Sequence, residues 1–182
     1  MLRHHTAHNR IGRNMRDVIL GGQDGLVNVL GVVLGVAAAS QETRLVLAAG
    51  LAAAFAESFS MAAVAYTSTI AERDYLKSTL PCKEEQAIER AIPEEAAPFK
   101  SALIVGLAAI LGSLIPLLPF IWLPIPTAIV LSITFSALTL FSLGAIKAWT
   151  TVGDWRKSGA EILAIGLLAA LIGYLIGLVF QV

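Results

Sequence analysis

Charge is what this sequence has least of: Asp, Glu, Lys and Arg make up 14% of its 182 residues, against roughly 25% in soluble domains. A chain so poor in solvated groups cannot cover a globular surface with them, which excludes a water-soluble fold. Neither sign dominates, with 13 basic and 13 acidic residues. The positive field that draws a protein to phosphate backbones is missing, and nucleic acid is excluded as a partner. Cysteine is almost absent. A single Cys82 rules out an intrachain disulfide and cannot alone build a thiolate zinc cage. Histidine is confined to His4, His5 and His8 in a polar N-terminal arm, where solvated neighbours of the headgroups are a better account than metal capture.

What fills the chain instead is apolar: 57% of residues are hydrophobic and the mean hydropathy is +0.76. The apolar residues gather into runs at 18–39, 45–67, 101–118, 127–148 and 160–182. Each approaches or exceeds the about 20 residues a helix needs to cross hydrocarbon. They lack the alternation of a barrel strand, and in lipid a spanning segment must satisfy its own backbone, so all are predicted helices. The expected fold is an all-α integral membrane protein with five transmembrane helices. The first run contains Gln23, Asp24 and Asn28 and has no clear small-residue cleavage site, so it is read as a retained span rather than a signal peptide.

Positive charge assigns the orientation. Arg3, Arg10, Arg13 and Arg16 precede the first span, Arg73, Lys77, Lys83, Arg90 and Lys100 follow the second, and Lys147, Arg156 and Lys157 flank the gap between the fourth and fifth. Arg44 alone falls on the other side. The N-terminus is therefore expected in the cytoplasm and the C-terminus outside or in a lumen. The chain divides into a cytoplasmic arm (1–17), two helices with a proposed ion path (18–69), a short acidic cytoplasmic segment (70–100) and three further helices (101–182). At about 30 residues the acidic segment is too short to bury a core of its own. Pro116, Pro119, Pro124 and Pro126 around Trp122 predict a helix break and tight hairpin at the outer face. An odd number of spans cannot form two equal inverted halves, so a symmetric pathway would need a second copy of the chain.

The chemistry is concentrated in the first two spans. Asp24 and Glu57 sit deep in apolar helices, where an unpartnered acid costs roughly 2.5 to 3.5 kcal/mol. Helical spacing puts Asn28 one turn from Asp24 and places Ser60 and Met61 beside Glu57, so the two faces are candidates to converge. Carboxylate and amide oxygens with a thioether sulfur suit a borderline divalent metal such as Fe²⁺ or Mn²⁺ better than Ca²⁺, which takes oxygen alone. With no intramembrane lysine or arginine beside them, exchange of a proton for a cation at Asp24 and Glu57 is a physical option. The competing account is that both acids merely hydrogen-bond neighbouring helices, and that Met61 is an ordinary packing residue. Glu84, Glu85 and Glu89 are candidates for attracting cations to the cytoplasmic mouth, although a charged run in a loop is usually just solvated.

Glycines recur at Gly21, Gly22 and Gly25, and in GxxxG spacing at Gly31/Gly35 and Gly173/Gly177. They predict close helix approach, and around Asp24 an alternative is a loosened helix with carbonyls turned to an ion. Ser132, Ser136 and Thr139 share one face of the fourth span and predict hydrogen bonds between helices.

Arg16-Asp17-Val18-Ile19-Leu20-Gly21-Gly22-Gln23-Asp24-Gly25-Leu26-Val27-Asn28, then Ser60-Met61-Ala62, then Pro116-Leu117-Leu118-Pro119-Phe120, and Lys157-Ser158-Gly159-Ala160-Glu161 before a glycine-rich last helix, together resemble the vacuolar iron transporter family. The resemblance covers nearly the whole membrane portion in order. It implies a homodimer of five-helix subunits moving Fe²⁺ or Mn²⁺ out of the cytosol against protons, along a path lined by the first two helices. Asp24 matches the family's first-helix acid and Met61 its second-helix methionine. Two departures stand out. Where many members read Gly-Glu-Tyr after Ser-Met-Ala, this chain has Val64-Ala65-Tyr66, leaving Glu57 as the candidate replacement for that glutamate. The family's larger glutamate-rich cytoplasmic domain is reduced here to 70–100.

The reading is a transporter of divalent transition metal, not an enzyme, with Asp24, Asn28, Glu57 and Met61 on the ion path and no permanently bound cofactor. Its partners are the metal, protons, the bilayer and a second copy. An intramembrane hydrolase would need a catalytic pair, and although Asp24 and Glu57 could supply acid and base, nothing in the sequence resembles a substrate-cleaving motif or a completed zinc site. The alternative from another class is a non-transporting assembly or metal-sensing protein. A prokaryotic plasma membrane is favoured as the location, with a vacuolar or other organelle membrane compatible.

Overall fold

The computed structural model describes residues 2–79, 98–150 and 153–181. Five helices follow one another: α1 (Leu2–Ser40), α2 (Thr43–Thr79), α3 (Pro98–Trp122), α4 (Ile125–Thr150) and α5 (Trp155–Val179). Every one contains a stretch long and apolar enough to span a bilayer, as the hydropathy requires. Large apolar side chains stand exposed on their outer faces, including Phe55, Phe59, Leu111, Val130 and Ile176. In water they would be a liability; in hydrocarbon they are the solvated surface.

The first two helices overrun the membrane. With 39 and 37 residues they are about 58 and 55 Å long at 1.5 Å per residue, against a hydrocarbon core of about 30 Å. The polar arm is thus the start of α1, continuous with the first span, and the first turns of the acidic segment continue α2. Glu84, Glu85 and Glu89 lie outside the described residues.

Two residues join α1 to α2. Gln41 takes a left-handed φ of 52°, the conformation that commonly ends a helix. Ser40 Oγ donates to Val36 O at 3.0 Å and accepts from Glu42 N at 3.4 Å. The helices therefore turn back at once as an antiparallel pair. The expected proline break is shorter than the sequence suggests. Pro116 and Pro119 sit inside α3, and helix is interrupted only around Leu123 and Pro124, with Leu123 N still bonding Pro119 O at 3.1 Å. Proline is tolerated within a membrane helix where neighbouring helices hold it; Ser132 Oγ on α4 donates to Pro116 O at 2.8 Å. At the other turn Asp154 caps α5 by accepting from Arg156 N at 3.0 Å, a typical N-cap arrangement.

Glycine decides how the helices pair. A Cβ on Gly21 would strike the backbone of Val105, and one on Gly25 the backbone of Ala109. Asp17, four residues earlier, accepts a 2.7 Å hydrogen bond from Ser101 Oγ. The partners advance together along both chains, so α1 and α3 run parallel in a close seam. The same happens farther along: Gly173 and Gly177 of α5 abut the backbones of Gly31 and Gly35, so the two GxxxG pairs meet each other. No glycine in the described residues has positive φ. The cluster around Asp24 therefore does not open the helix; its missing side chains admit α3. Clasped by α2, α3 and α5, α1 forms the axis of the bundle, and Leu26, Val29, Leu30, Val33 and Leu34 are fully enclosed. Gln181 Nε2 donates to Ala38 O at 3.3 Å, tying the end of α5 back to α1.

Candidate metal-ion site

The short α1–α2 turn sets which residues face each other. Gly50 of α2 packs against Val33 of α1, and counting back from that contact brings Glu57 level with the stretch between Asp24 and Asn28. Helical spacing places Asp24 and Asn28 one turn apart on one side of α1. The Glu57 carboxyl comes within hydrogen-bonding reach of both Asp24 and Asn28. Three polar side chains from two helices thus converge within the membrane.

Depth makes this cluster unusual. In the 27-residue span Asn14–Ser40, Asp24 and Asn28 both lie within about 5 Å of the midpoint along the axis. No lysine or arginine occurs in α1 after Arg16, nor in α2 between Arg44 and Arg73, so the acids have no nearby cation from their own helices. An ionised carboxylate can only accept hydrogen bonds. A hydrogen bond between the Asp24 and Glu57 carboxyls would therefore need a proton between them, and a cation in the proton's place would satisfy the same oxygens.

The cluster is open on one side. Asp24 and Glu57 are half-buried, whereas Asn28 is exposed. Met61, one turn beyond Glu57, is half-buried, and Ser60 is exposed. The structure brings Asp24, Asn28 and Glu57 together; Met61 lies on the adjoining turn and is not one of the three. Among the described residues no group of three or more His, Cys, Asp and Glu side chains gathers to hold a metal. The two carboxylates and one amide are fewer ligands than the octahedral sphere common for divalent cations.

The serine face of α4 behaves differently from expectation. Ser132 does bond across to α3, but Thr139 Oγ1 turns back to Phe135 O at 2.8 Å. Ser136 Oγ is buried without a hydrogen-bond partner among the described residues, as is Ser113 Oγ on α3. Hydroxyls within a helix often prefer their own preceding turn, which spacing along one face does not reveal. Sequence reasoning missed Asp17, a buried carboxylate with 8% exposure. Its signal was present: Asp17, Gly21 and Gly25 recur at every fourth position and mark the face that meets α3.

Comparison with known proteins places this architecture. The profile of the VIT family matches residues 15–97 and 81–178. Vacuolar iron transporter 1 of Arabidopsis thaliana is 25% identical over 232 aligned residues, covering 100% of this chain and 92% of the relative. Vacuolar iron transporter 1 of Eucalyptus grandis is 24% identical, covering 92% and 86%. An uncharacterized protein of Methanocaldococcus jannaschii is 29% identical, covering 88% and 87%. The Arabidopsis alignment is longer than the 182 residues of this chain, so the plant protein has stretches without a counterpart here.

Proposed function

Because this chain belongs to the VIT family, we propose that it carries a divalent transition metal, Fe²⁺ or Mn²⁺, out of the cytosol across a membrane in exchange for protons. The observation that carries this reading is the convergence of Asp24, Asn28 and Glu57 at the middle of the first two spans. Its oxygens hold either a proton or a cation, and an exchanger requires one site that alternates between the two. Met61 on the next turn adds a thioether, which favours a transition metal over Ca²⁺. The metal is cargo, and the proposal includes no resident cofactor.

A homodimer is part of the proposal. A polar cluster facing hydrocarbon is costly, and Asn28 is exposed in the single chain. A second copy packed over this side would cover the polar groups and supply the missing ligands by symmetry. With the basic end in the cytosol, Asp24 and Glu57 would load from that side. The host membrane in this reading is a prokaryotic plasma membrane.

Uptake into proteoliposomes tests the function. The purified full-length protein is offered Fe²⁺, Mn²⁺, Co²⁺ and Zn²⁺ with an internal metal-quenched dye, with and without a pH gradient. Saturable uptake that responds to the gradient is expected. No uptake of any of these metals by folded, inserted protein would overturn the transport reading and favour a sensing or assembly role.

A further inference from the structure

Two hydroxyls at the centre of the bundle stand apart from the rest. Ser113 on α3 and Ser136 on α4 are fully buried, and neither Oγ has a hydrogen-bond partner among the described residues. Elsewhere on α4, Thr134, Thr139 and Ser142 turn back to the carbonyl four residues earlier, the usual refuge of a hydroxyl inside a helix. Ser113 and Ser136 do not take it. Both lie near mid-membrane, three residues and one residue from the midpoints of the spans Pro98–Trp122 and Ile125–Trp149. Lipid offers no hydrogen bonds at that depth, and an unpaired buried hydroxyl is costly.

Both hydroxyls belong to one junction. α3 and α4 run antiparallel from the bend at Leu123 and Pro124, and the bond from Ser132 Oγ to Pro116 O fixes their register. One turn farther from the bend, Ser136 follows Ser132 on the same face of α4, while Gly112 and Ser113 precede Pro116 on α3. Ser113 Oγ also stands 2.7 Å from the position of a Cβ on Gly25, so α1 closes the third side. A further polar atom joins them. Pro116 has no N–H, and the carbonyl of Gly112, four residues earlier, therefore loses the donor that a helix would otherwise supply. Two hydroxyls and one carbonyl with spare capacity come together where three helices meet.

We propose that this junction binds one internal water molecule, which accepts from Ser113 Oγ and Ser136 Oγ and donates to Gly112 O. Three polar partners are the usual complement of a buried water, and ordered water is one means by which a membrane helix satisfies a carbonyl freed by proline. All three groups are neutral, so a metal ion would find no counter-charge to offset its dehydration. Asp24, next to Gly25 in the chain, approaches Glu57 on α2 instead. The water site is thus separate from the candidate metal site, and the inference does not depend on the transport reading.

Magic-angle-spinning NMR of the full-length protein in bilayers of deuterated lipid tests it. Magnetisation should pass from water protons to the α-protons of Gly112. It should not reach those of Gly166, which packs against the side chains of Leu140 and Val27 near the middle of its own span. Transfer to Gly112 should vanish when Ser113→Ala and Ser136→Ala are combined. Thermal unfolding in detergent gives a second reading: each single change should lower the midpoint, and the pair should lower it by less than the sum, because either one deprives the same water of a donor. Absence of transfer to Gly112 in the parent protein would overturn the proposal, as would transfer that survives the double change. A raised midpoint in either single variant would mark a hydroxyl left unpaired in the folded protein, and additive losses would mark two unconnected hydroxyls; each equally overturns it. A direct bond between the two hydroxyls would reproduce the sub-additive loss without the transfer to Gly112, and that combination also counts against the water.

Discussion

Glu57 on α2 lies within hydrogen-bonding reach of Asp24 on α1, and this approach joins two acids from separate helices at the same depth in the bilayer. Neither helix offers a lysine or arginine to neutralise them there. In the proposed exchanger the pair would be neutralised by a mobile positive charge, a proton or a metal ion, and that proposal sets what substitution and pH should do.

Asp24→Asn and Glu57→Gln keep the shape and hydrogen-bonding capacity of each side chain but remove the charge that a metal needs. Metal flux in proteoliposomes should fall by more than about 100-fold in either variant, since even outer-shell partners of a metal ligand cost about 10- to 100-fold. The thermal stability of the detergent-solubilised protein should be unchanged or slightly higher, because a buried acid is costly to keep. Wild-type flux in both variants would remove the proposed site.

The sign of the pH effect follows from exchange at one place. If metal entering a liposome is exchanged for a proton leaving it, as proposed, an acidic lumen should accelerate uptake and an alkaline lumen should slow it. Acidifying the side that offers metal should do the reverse, because a proton held between Asp24 and Glu57 occupies the cation's position. Initial rates measured with the gradient imposed in each direction separate these cases, and rates indifferent to the gradient would exclude proton coupling.

Met61→Leu tests metal choice without disturbing the fold. The swap is close in volume and should cost under about 1.5 kcal/mol of stability. Loss of the thioether should narrow the preference for Fe²⁺ or Mn²⁺ over Ca²⁺, read as stronger competition by Ca²⁺ in Mn²⁺ uptake. An unchanged competition profile would return Met61 to simple packing.

The glycine seams should be intolerant in a position-specific way. Gly25→Ala forces a methyl against Ala109 O and against Ser113 Oγ, the latter at 2.7 Å, and Gly35→Ala meets Gly173 O at 2.9 Å. Each should destabilise by about 1–3 kcal/mol, as overpacking does. Gly22→Ala, whose nearest neighbour is at 3.7 Å, should be nearly neutral. Thermal unfolding of the three variants in one detergent checks the contrast.

Much of this was legible along the chain. Five apolar runs appear because each helix must clear the same hydrocarbon thickness, a constraint local to each segment. Asp24 and Glu57 were legible because an acid within such a run contradicts its surroundings. Gly31/Gly35 and Gly173/Gly177 were visible as close-packing motifs, yet nothing in either sequence stretch says that they meet one another. Pro116 and Pro119 read as breakers because proline's missing N–H is a local fact, while its tolerance inside α3 depends on the helices around it. Asp17 was passed over because its position at the edge of the apolar run looked like solvent, and only the seam with α3 encloses it.

The sequence by itself determined the class of protein, the number of spans and the presence of acids that water does not explain, because hydropathy and helix length act residue by residue. Tertiary structure alone decided that α1 is the axis of the bundle, that its glycines receive α3 and α5, and that Asp24, Asn28 and Glu57 share one cluster. In lipid no hydrophobic difference tells one apolar helix face from another. Partners are chosen by the fit of small residues and by hydrogen bonds between helices, and these exist only once the helices have assembled.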